Sequence, residues 1–332
     1  MLAQKQYPPC VICGCQDARF LFKAKGVDIL GDKLFGLIQC PGCSLIRLYP
    51  AAEKVDFRDI DKGGFYTDKR GKGMIFTAFI FLMGIFMRLR AGKIEKKARK
   101  GAILDVGCGQ GSFLKEMARR GWDCWGADIS AYALDAAGTK ENIRFCPGDV
   151  ADLDLPGNYF DAVTFWHSFE HIAAPGRALN KARSILKDNG RLFISVPNVR
   201  SFEARMSLKD WLGLELPRHH YMYSARNLIR LIDGNGFRVT DISYNSLEYN
   251  FPFISQSLFN FLGGEHNLLH KMFKRDVLLY DTCFLRRLYT IFLIAGLLPL
   301  TLVLTIFISV VNMVCANGTV IEVFARKKGL ND

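Results

Sequence analysis

The run ILDVGCGQGS, residues 103–112, decides the fold of this chain. An apolar strand leads into three alternating glycines, and a helical pattern begins directly after them. Glycine accepts φ > 0 and lets a ligand approach where a Cβ would collide, while the N-terminus of the following helix offers unpaired N–H groups. The run therefore predicts a turn that binds a nucleotide.

A second strand, Trp122–Asp128, ends in an acidic residue about 20 residues after the glycines, the distance at which a carboxylate meets ribose hydroxyls in doubly wound sheets. The glycine spacing is G-x-G-x-G, and Asp105 lies inside the first strand. Both features suit a single nucleoside with a charged amino-acid tail better than a pyrophosphate. The pattern predicts a nucleoside ligand and argues against NAD.

Three further motifs follow in order: Gly126–Ser130, Pro147–Val150, and Phe160–Ile172, which contains a Glu-His pair. Together with the glycine run they resemble the class I S-adenosylmethionine (SAM) methyltransferases, in particular the branch that acts on small molecules. The similarity runs from about residue 101 to 244 and resumes from 319 to 328. The resemblance implies an α/β fold with a Rossmann-like seven-stranded sheet. An ordinary Rossmann-like core with accidental glycines is the alternative.

The resemblance also implies which residues contact SAM. Asp105 and the glycines would hold the methionine part, Asp128 the ribose diol, and Asp149 with Val150 the adenine. The full set of expected SAM residues is Asp105, Gly107, Cys108, Gly109, Gly111, Asp128, Ile129, Asp149, Val150 and His167.

Two histidines are candidates for a general base. Methyl transfer from a sulfonium is an in-line displacement, so the protein mainly aligns the acceptor, and a hydroxyl acceptor gains from a neighbouring base. By the resemblance, His171 would lie near the methyl group, and His220 matches the histidine that precedes the following helix in this branch. Hydrogen bonding of a loop is the alternative role for each.

Four cysteines form two C-x2-C pairs, Cys10 with Cys13 and Cys40 with Cys43. Each tight turn presents two thiolates, and four thiolates close a tetrahedral Zn²⁺ site with no open position. The spacing predicts a structural zinc in an N-terminal ribbon-like module, with unpaired cysteines as the alternative. Cys15 is a spare that could replace Cys13.

The composition bounds the size, the partner and the compartment. The chain has 332 residues, of which 50% are hydrophobic, so it can bury a full core with additional modules. Its formal net charge of +12 favours an anionic partner: RNA, an acidic substrate or a membrane surface. The ten cysteines fit a reducing compartment, and residues 1–9 hold no apolar export core, so we expect a cytoplasmic protein.

An apolar stretch with a basic continuation precedes the glycine run. Residues 74–87 are almost wholly apolar, and residues 88–100 are rich in lysine and arginine. Such a helix is either buried on the sheet or in contact with lipid, where basic side chains meet anionic head groups. We expect a connector helix here.

An uncharged tract runs from Leu288 to Ile321 and is interrupted by Pro299. If Thr319–Arg326 completes the sheet, both ends of the tract lie on one side of a membrane, and basic residues flank both ends. The pattern therefore predicts a helix-Pro-helix hairpin, with arms at 288–298 and 300–314, that enters one leaflet and returns. A buried helical lid or a dimer interface is the alternative.

The chain is expected to divide into consecutive segments. These are a zinc-ribbon-like module at 1–52, the connector at 53–100, the SAM-binding core at 101–250, a membrane-associated helical insert at 251–317, and the last core strand and tail at 318–332.

The function favoured is SAM-dependent O-methylation of a small-molecule, lipid-linked or saccharide acceptor at the cytoplasmic face of the membrane. The sequence lacks the Asn/Asp-Pro-Pro-aromatic motif of exocyclic-amine methyltransferases, and no cysteine follows the fourth strand as a nucleophile. A zinc-ribbon RNA methyltransferase is the runner-up, because the ribbon and the positive charge suit RNA. A non-catalytic SAM-fold scaffold is third, and the oligomeric state is open.

Overall fold

The structure is a computed structural model that describes residues 7–26, 33–50, 74–130, 143–244, 246–262, 284–315 and 317–329. Its strands are β1 (Arg19–Lys25), β2 (Leu34–Gln39), β3 (Ile46–Tyr49), β4 (Ala102–Val106), β5 (Asp123–Asp128), β6 (Ile143–Pro147), β7 (Phe160–Trp166), β8 (Leu186–Pro197), β9 (Tyr221–Met222), β10 (Phe237–Ser243) and β11 (Val320–Lys327). Its α-helices are α1 (Met74–Glu95), α2 (Ser112–Arg119), α3 (Pro175–Ile185), α4 (Phe202–Ser207), α5 (Ala225–Gly234), α6 (Leu247–Phe261) and α7 (Phe284–Val314).

The chain forms two compact units that interleave along the sequence. The cysteine unit comprises residues 1–55, 197–227 and 243–321, and the parallel-sheet unit comprises residues 56–196, 228–242 and 322–332. Residues 197–227 group with the N-terminal cysteines because β9 pairs antiparallel with β3. The expected core segment 101–250 is therefore shared between the units.

The parallel-sheet unit contains a seven-stranded sheet in the order β10-β11-β8-β7-β4-β5-β6. β4 pairs in parallel with β5 and β7, and all five of its residues are buried, as expected of a strand covered on both faces. The chain continues from β4 to β5 and β6 on one side and returns to β7 on the other. Ligands of open α/β sheets bind beyond the carboxyl ends of the strands at such a reversal. The predicted fold class is confirmed.

The connector helix α1 packs on this sheet. Ala91 and Ile94 are buried in one hydrophobic cluster with Ile103 of β4. Lys93 Nζ donates to both carboxylate oxygens of Glu322 on β11, at 2.6 and 2.7 Å. The last turns of the helix therefore belong to the core of the unit. Residues 53–73 of the expected connector lie outside the described residues.

The cysteine unit combines a small sheet with helices. Its strands follow the order β1-β2-β3-β9, with antiparallel pairing throughout. Helix α6 packs against both α4 and α7 in the same unit.

The prediction of a helix-Pro-helix hairpin within residues 288–314 is wrong. α7 is one continuous helix of 31 residues with Pro299 inside it. Proline removes one backbone N–H and crowds the carbonyl four residues earlier, yet a long helix can absorb this loss as a local bend. Packing of α7 against α6 and α4 favours the uninterrupted helix.

Candidate active site

The three glycines after β4 all adopt the left-handed backbone region. φ is 74° at Gly107, 51° at Gly109 and 67° at Gly111. A Cβ on Gly107 would lie 2.3 Å from the Cβ of Ser168, and one on Gly111 would lie 2.9 Å from the ring of Phe145. The turn therefore requires glycine both for its conformation and for space. Helix α2 begins directly after it, with the unpaired N–H groups of its first turn.

Asp128 ends β5 and is hydrogen-bonded to the glycine turn. Its Oδ2 accepts a hydrogen bond from the N–H of Gly109 at 2.8 Å, and its Oδ1 accepts one from the N–H of Ser130 at 2.9 Å. The N–H of Gly107 donates to the carbonyl of Ala127 at 2.7 Å. The turn and the expected ribose-binding carboxylate therefore form one hydrogen-bonded assembly.

Asp149 and Val150 follow shortly after β6. The N–H of Gly148 donates to the carbonyl of Asp128 at 2.9 Å, which joins the ends of β5 and β6. Asp149 Oδ1 accepts a hydrogen bond from the N–H of Ala151 at 2.9 Å, and Val150 is buried. The two expected adenine-binding residues thus lie beside the expected ribose-binding residue.

Two apolar side chains belong to the same region. Ile129 follows Asp128 and is 61% exposed, which leaves an aliphatic surface open to a flat apolar ligand group. Cys108 is half-buried in the turn, where burial and the carboxylates of Asp105 and Asp128 raise the pKa of its thiol. The thiol is therefore protonated at neutral pH. Contact of either residue with SAM stays a prediction.

Asp105 is a buried carboxyl group inside β4. Its Oδ1 accepts a hydrogen bond from the hydroxyl of Thr164 on β7 at 2.7 Å. Burial raises the pKa of Asp105 to about 7, against the opposing effects of the Thr164 bond and the charge of Arg90. The group is close to half ionised at neutral pH, and a cationic ligand group nearby would favour its ionised form.

His167 follows β7 with a left-handed backbone, φ 50°. Its Nε2 lies 3.3 Å from Ser195 Oγ, and its Nδ1 lies 3.6 Å from Oε1 of the buried Glu170. The main-chain N–H of His167 donates to the carbonyl of Ser195 at 2.9 Å. Both ring nitrogens therefore face protein groups, and these groups fix the orientation of the imidazole.

The two candidate bases lie in different units. His171 ends the short 3-10 helix Phe169–His171 after β7; it is half-buried, and its N–H bonds to the carbonyl of Ser168 at 3.1 Å. His220 belongs to the cysteine unit, where it is buried and its carbonyl accepts the N–H of Leu48 at 3.0 Å. Of the two, His171 shares a unit with the expected SAM residues.

The expected SAM residues form a row along the adjacent strands β7, β4, β5 and β6. His167, the glycine turn, Asp128 and Asp149 each follow or end one of these strands, and Asp105 lies one residue before the end of β4. A row of this kind, with a helix N-terminus behind the turn, can receive a nucleoside and a charged tail.

Sequence reasoning missed two hydroxyl residues that support the turn. Thr164 pairs in register with Asp105 and donates to it, and Ser168 Oγ donates to the carbonyl of Val106 while filling the space that a side chain on Gly107 would need. Thr164 lies near the end of β7, and Ser168 follows the strand. Their role depends on the register between β4 and β7, and a local sequence pattern does not predict this register.

The four cysteines of the C-x2-C pairs converge in the cysteine unit. The Sγ atoms of Cys10 and Cys43 are 3.5 Å apart, those of Cys13 and Cys40 are 3.4 Å apart, and all four lie within 4.8 Å of one another. Zn–S bonds of about 2.3 Å in a tetrahedron separate sulfur atoms by about 3.8 Å. The cluster therefore fits one Zn²⁺ ion.

Each C-x2-C pair lies in its own backbone turn, and the two turns have the same conformation. The N–H of Gly14 donates to the carbonyl of Cys10, and the N–H of Ser44 donates to the carbonyl of Cys40, both at 2.8 Å. Gly14 and Ser44 both have positive φ, 71° and 63°. Cys15 is outside the cluster, with its Sγ 3.8 Å from the carbonyl of Asp17. The four-sulfur cluster therefore includes Cys13 and not Cys15.

Comparison with known proteins identifies the family to which the middle of the chain belongs. Residues 83–242 match the family model of a methyltransferase domain. A ubiquinone biosynthesis O-methyltransferase of Coxiella burnetii is 29% identical over 177 residues, which cover 48% of this chain and 74% of that protein. The segment 83–242 is a class I SAM-dependent methyltransferase domain.

Other similar proteins carry related names. A ubiquinone biosynthesis O-methyltransferase of Paraburkholderia xenovorans is 27% identical to this methyltransferase over 176 residues, 48% of this chain and 75% of that protein. A crystal structure of a SAM-dependent methyltransferase from Archaeoglobus fulgidus is 18% identical, with a TM-score of 0.45, and covers 75% of this chain and 99% of its own.

SAM is the methyl donor of this methyltransferase, and the residues present fit it. The left-handed glycine turn leads directly into the N-terminus of α2, and the acidic residues Asp105 and Asp128 suit a charged amino-acid tail and a ribose diol. The role of each residue toward SAM stays a prediction.

Proposed function

We propose that this methyltransferase transfers the methyl group of SAM to a hydroxyl oxygen of a small-molecule, lipid-linked or saccharide acceptor. The observation that supports this most is the row of expected donor residues at neighbouring strand ends, with His171 in the short helix just after β7. The names of the relatives, which are O-methyltransferases, support oxygen as the accepting atom.

The chain's own residues would divide the work as follows. When bound, SAM supplies an electrophilic methyl carbon on a sulfonium sulfur. The glycine turn and the first N–H groups of α2 would receive the amino-acid part, while Asp128 would hold the ribose hydroxyls. Ionised Asp105 would balance positive charge near the turn. These groups orient the donor for an in-line displacement.

His171 would accept the acceptor's proton. The imidazole of His171 would take up the hydroxyl proton, so that positive charge would not build up on the acceptor oxygen when it receives the methyl group. The half-buried His171 is preferred over the buried His220 for this role, because it shares a unit with the donor residues.

Methyl-labelled SAM tests the acceptor class. The enzyme is incubated with lipid, polysaccharide and RNA fractions of a cell extract, and we expect alkali-stable label, typical of a methyl ether, in the lipid or saccharide fraction. Label confined to RNA would instead support the zinc-ribbon RNA methyltransferase. The net charge of +12 favours that alternative, because RNA is an anionic partner. Absence of transfer with intact SAM binding would favour the scaffold role.

The histidine assignment has its own variants. His171→Gln should lower turnover by about 100-fold with unchanged SAM affinity, whereas His220→Gln, the matched substitution in the other unit, should leave turnover within about twofold of the wild type. Unchanged turnover in His171→Gln would remove this histidine from the mechanism.

We also propose that Cys10, Cys13, Cys40 and Cys43 hold a structural Zn²⁺. The convergence of the four sulfur atoms supports it, and four thiolate ligands leave no position for a substrate.

A further inference from the structure

Helix α7 has its polar and apolar faces reversed relative to a helix on the surface of a soluble protein. Among the described side chains in its C-terminal half, the buried ones are Thr301, Thr305, Ile308 and Asn312. Their spacing of four, three and four residues places them on one face of the helix. Three of these four are polar, whereas a soluble amphipathic helix buries an apolar stripe.

The opposite face is apolar and open. Val303 is 65% exposed, Ile306 66% and Phe307 62%, and Phe292, Leu300 and Val310 are also exposed. Among the described side chains of α7, every exposed one is apolar. These six large side chains, Phe292, Leu300, Val303, Ile306, Phe307 and Val310, form what we call the outer face of α7.

The inner face is held in place by hydrogen bonds within the cysteine unit. Thr305 Oγ1 lies 3.1 Å from Ser255 Oγ on α6, and Asn312 Nδ2 donates to Glu203 Oε2 on α4 at 3.3 Å. Ile308 packs against Ile254 and Leu258 of α6. The rotation of α7 is therefore set by buried polar partners, and it turns the apolar side chains outward.

Three features identify a lipid bilayer as the partner of this face. Residues 288–321 contain no charged residue, although a protein interface normally has a polar rim. Among the described residues, one helix is long and apolar enough to cross a membrane; its best stretch, Ala295–Asn312, has a mean hydropathy of 2.1 and only 25% of it is buried. A core helix of a soluble protein is mostly buried instead.

Charge points the same way. The net charge of +12 complements anionic head groups, and the sequence at the start of α7 carries Arg286 and Arg287, residue types that favour the membrane interface. Because the inner face bonds to α4 and α6, a crossing helix would carry those elements with it. The polar inner face therefore favours a helix that lies in one leaflet.

We infer that this methyltransferase docks on a bilayer through the outer face of α7, with the inner face held by α4 and α6. The contact is an interfacial one in which large apolar side chains enter the boundary between head groups and acyl chains. It is independent of the methyl acceptor, and it would bring the enzyme to amphiphilic molecules.

Vesicle sedimentation of the full chain tests this inference. We expect the wild type to pellet with phosphatidylcholine vesicles and more strongly with vesicles that also contain phosphatidylglycerol, and to stay bound at high salt because apolar insertion persists there. The variant Ile306→Gln/Phe307→Gln should bind about tenfold more weakly. Phe20→Gln is the matched control, since Phe20 is an exposed phenylalanine on β1 of the same unit, and it should bind as the wild type does.

SAM binding and thermal unfolding of each variant show that it is folded, so weak vesicle binding cannot be attributed to misfolding. A wild type that remains in the supernatant with both vesicle types would overturn the proposal, as would equal binding by the wild type and the double variant. A soluble dimer that the same double substitution dissociates would assign the outer face to a second copy of the chain instead.

Discussion

At the scale of single residues, the candidate SAM site depends on two side chains that pack against the glycine turn and its strand. Ser168 occupies the space beside Gly107, and Thr164 donates to the buried Asp105. The motif residues Asp105, Gly107 and Asp128 could be named from the sequence, because strand, turn and acid follow one another at characteristic spacings. Their supports could not, since Ser168 and Thr164 contact the turn only through the pairing of β4 with β7.

The buried Asp105 predicts a pH-dependent affinity for SAM. Because burial raises its pKa to about 7 and the positively charged donor favours the ionised form, SAM affinity should rise by about tenfold between about pH 6 and about pH 8. Isothermal titration of SAM at both pH values measures this. Asp105→Asn removes the titrating carboxyl group, so its SAM affinity should depend less on pH. An equal pH dependence of SAM affinity in the two proteins would contradict the role assigned to Asp105.

The same group acts on stability with a defined sign. Its folded pKa is raised from 3.8 to about 7, so its contribution to the free energy of unfolding is fully present below pH 3.8 and is lost as the pH rises through 7. The decline over this window should be smaller in Asp105→Asn, as measured by chemical denaturation without SAM.

At the scale of elements, the cysteine pairs and α7 show what local patterns can and cannot say. The C-x2-C spacing predicted a four-sulfur cluster, and the two turns bring Cys10, Cys13, Cys40 and Cys43 together. Pro299 predicted a break in the apolar tract, and the helix continues through it. Local propensity is overridden there because the packing of α7 on α6 and α4 depends on residues distant in the sequence.

The cysteine cluster predicts a metal content. Protein purified without chelator should contain one Zn²⁺ per chain, and Cys40→Ser should lose it and have a free energy of unfolding several kcal/mol lower, because binding energy at a structural site is folding energy. Cys15→Ser is the matched control, since Cys15 lies outside the cluster, and it should keep both zinc and stability. Metal analysis with denaturant unfolding measures both quantities. Metal-free wild type would refute the assignment.

At the scale of the whole molecule, the chain combines two units whose segments alternate along the sequence. The seven-stranded sheet could be predicted from the resemblance to class I methyltransferases, because the motifs that carry this resemblance follow one another in order along the chain. The grouping of residues 197–227 with the cysteine strands could not, because it depends on the two-residue strand β9, which is too short to leave a periodic pattern. We expect the glycine turn to bind SAM, and the activity of the whole molecule depends on this binding.

Isothermal titration of SAM into the wild type and into two glycine variants tests this binding. The wild type should bind one SAM per chain. Gly107→Ala should bind at least about tenfold more weakly, because alanine in the left-handed region costs about 1–2 kcal/mol and its Cβ would meet Ser168. Gly157→Ala, whose Cβ would meet only the carbonyl oxygen of Ser184 at 3.7 Å, should bind as the wild type does. Absence of binding by the wild type, or equal affinity in Gly107→Ala, would contradict the assignment of the glycine turn to SAM.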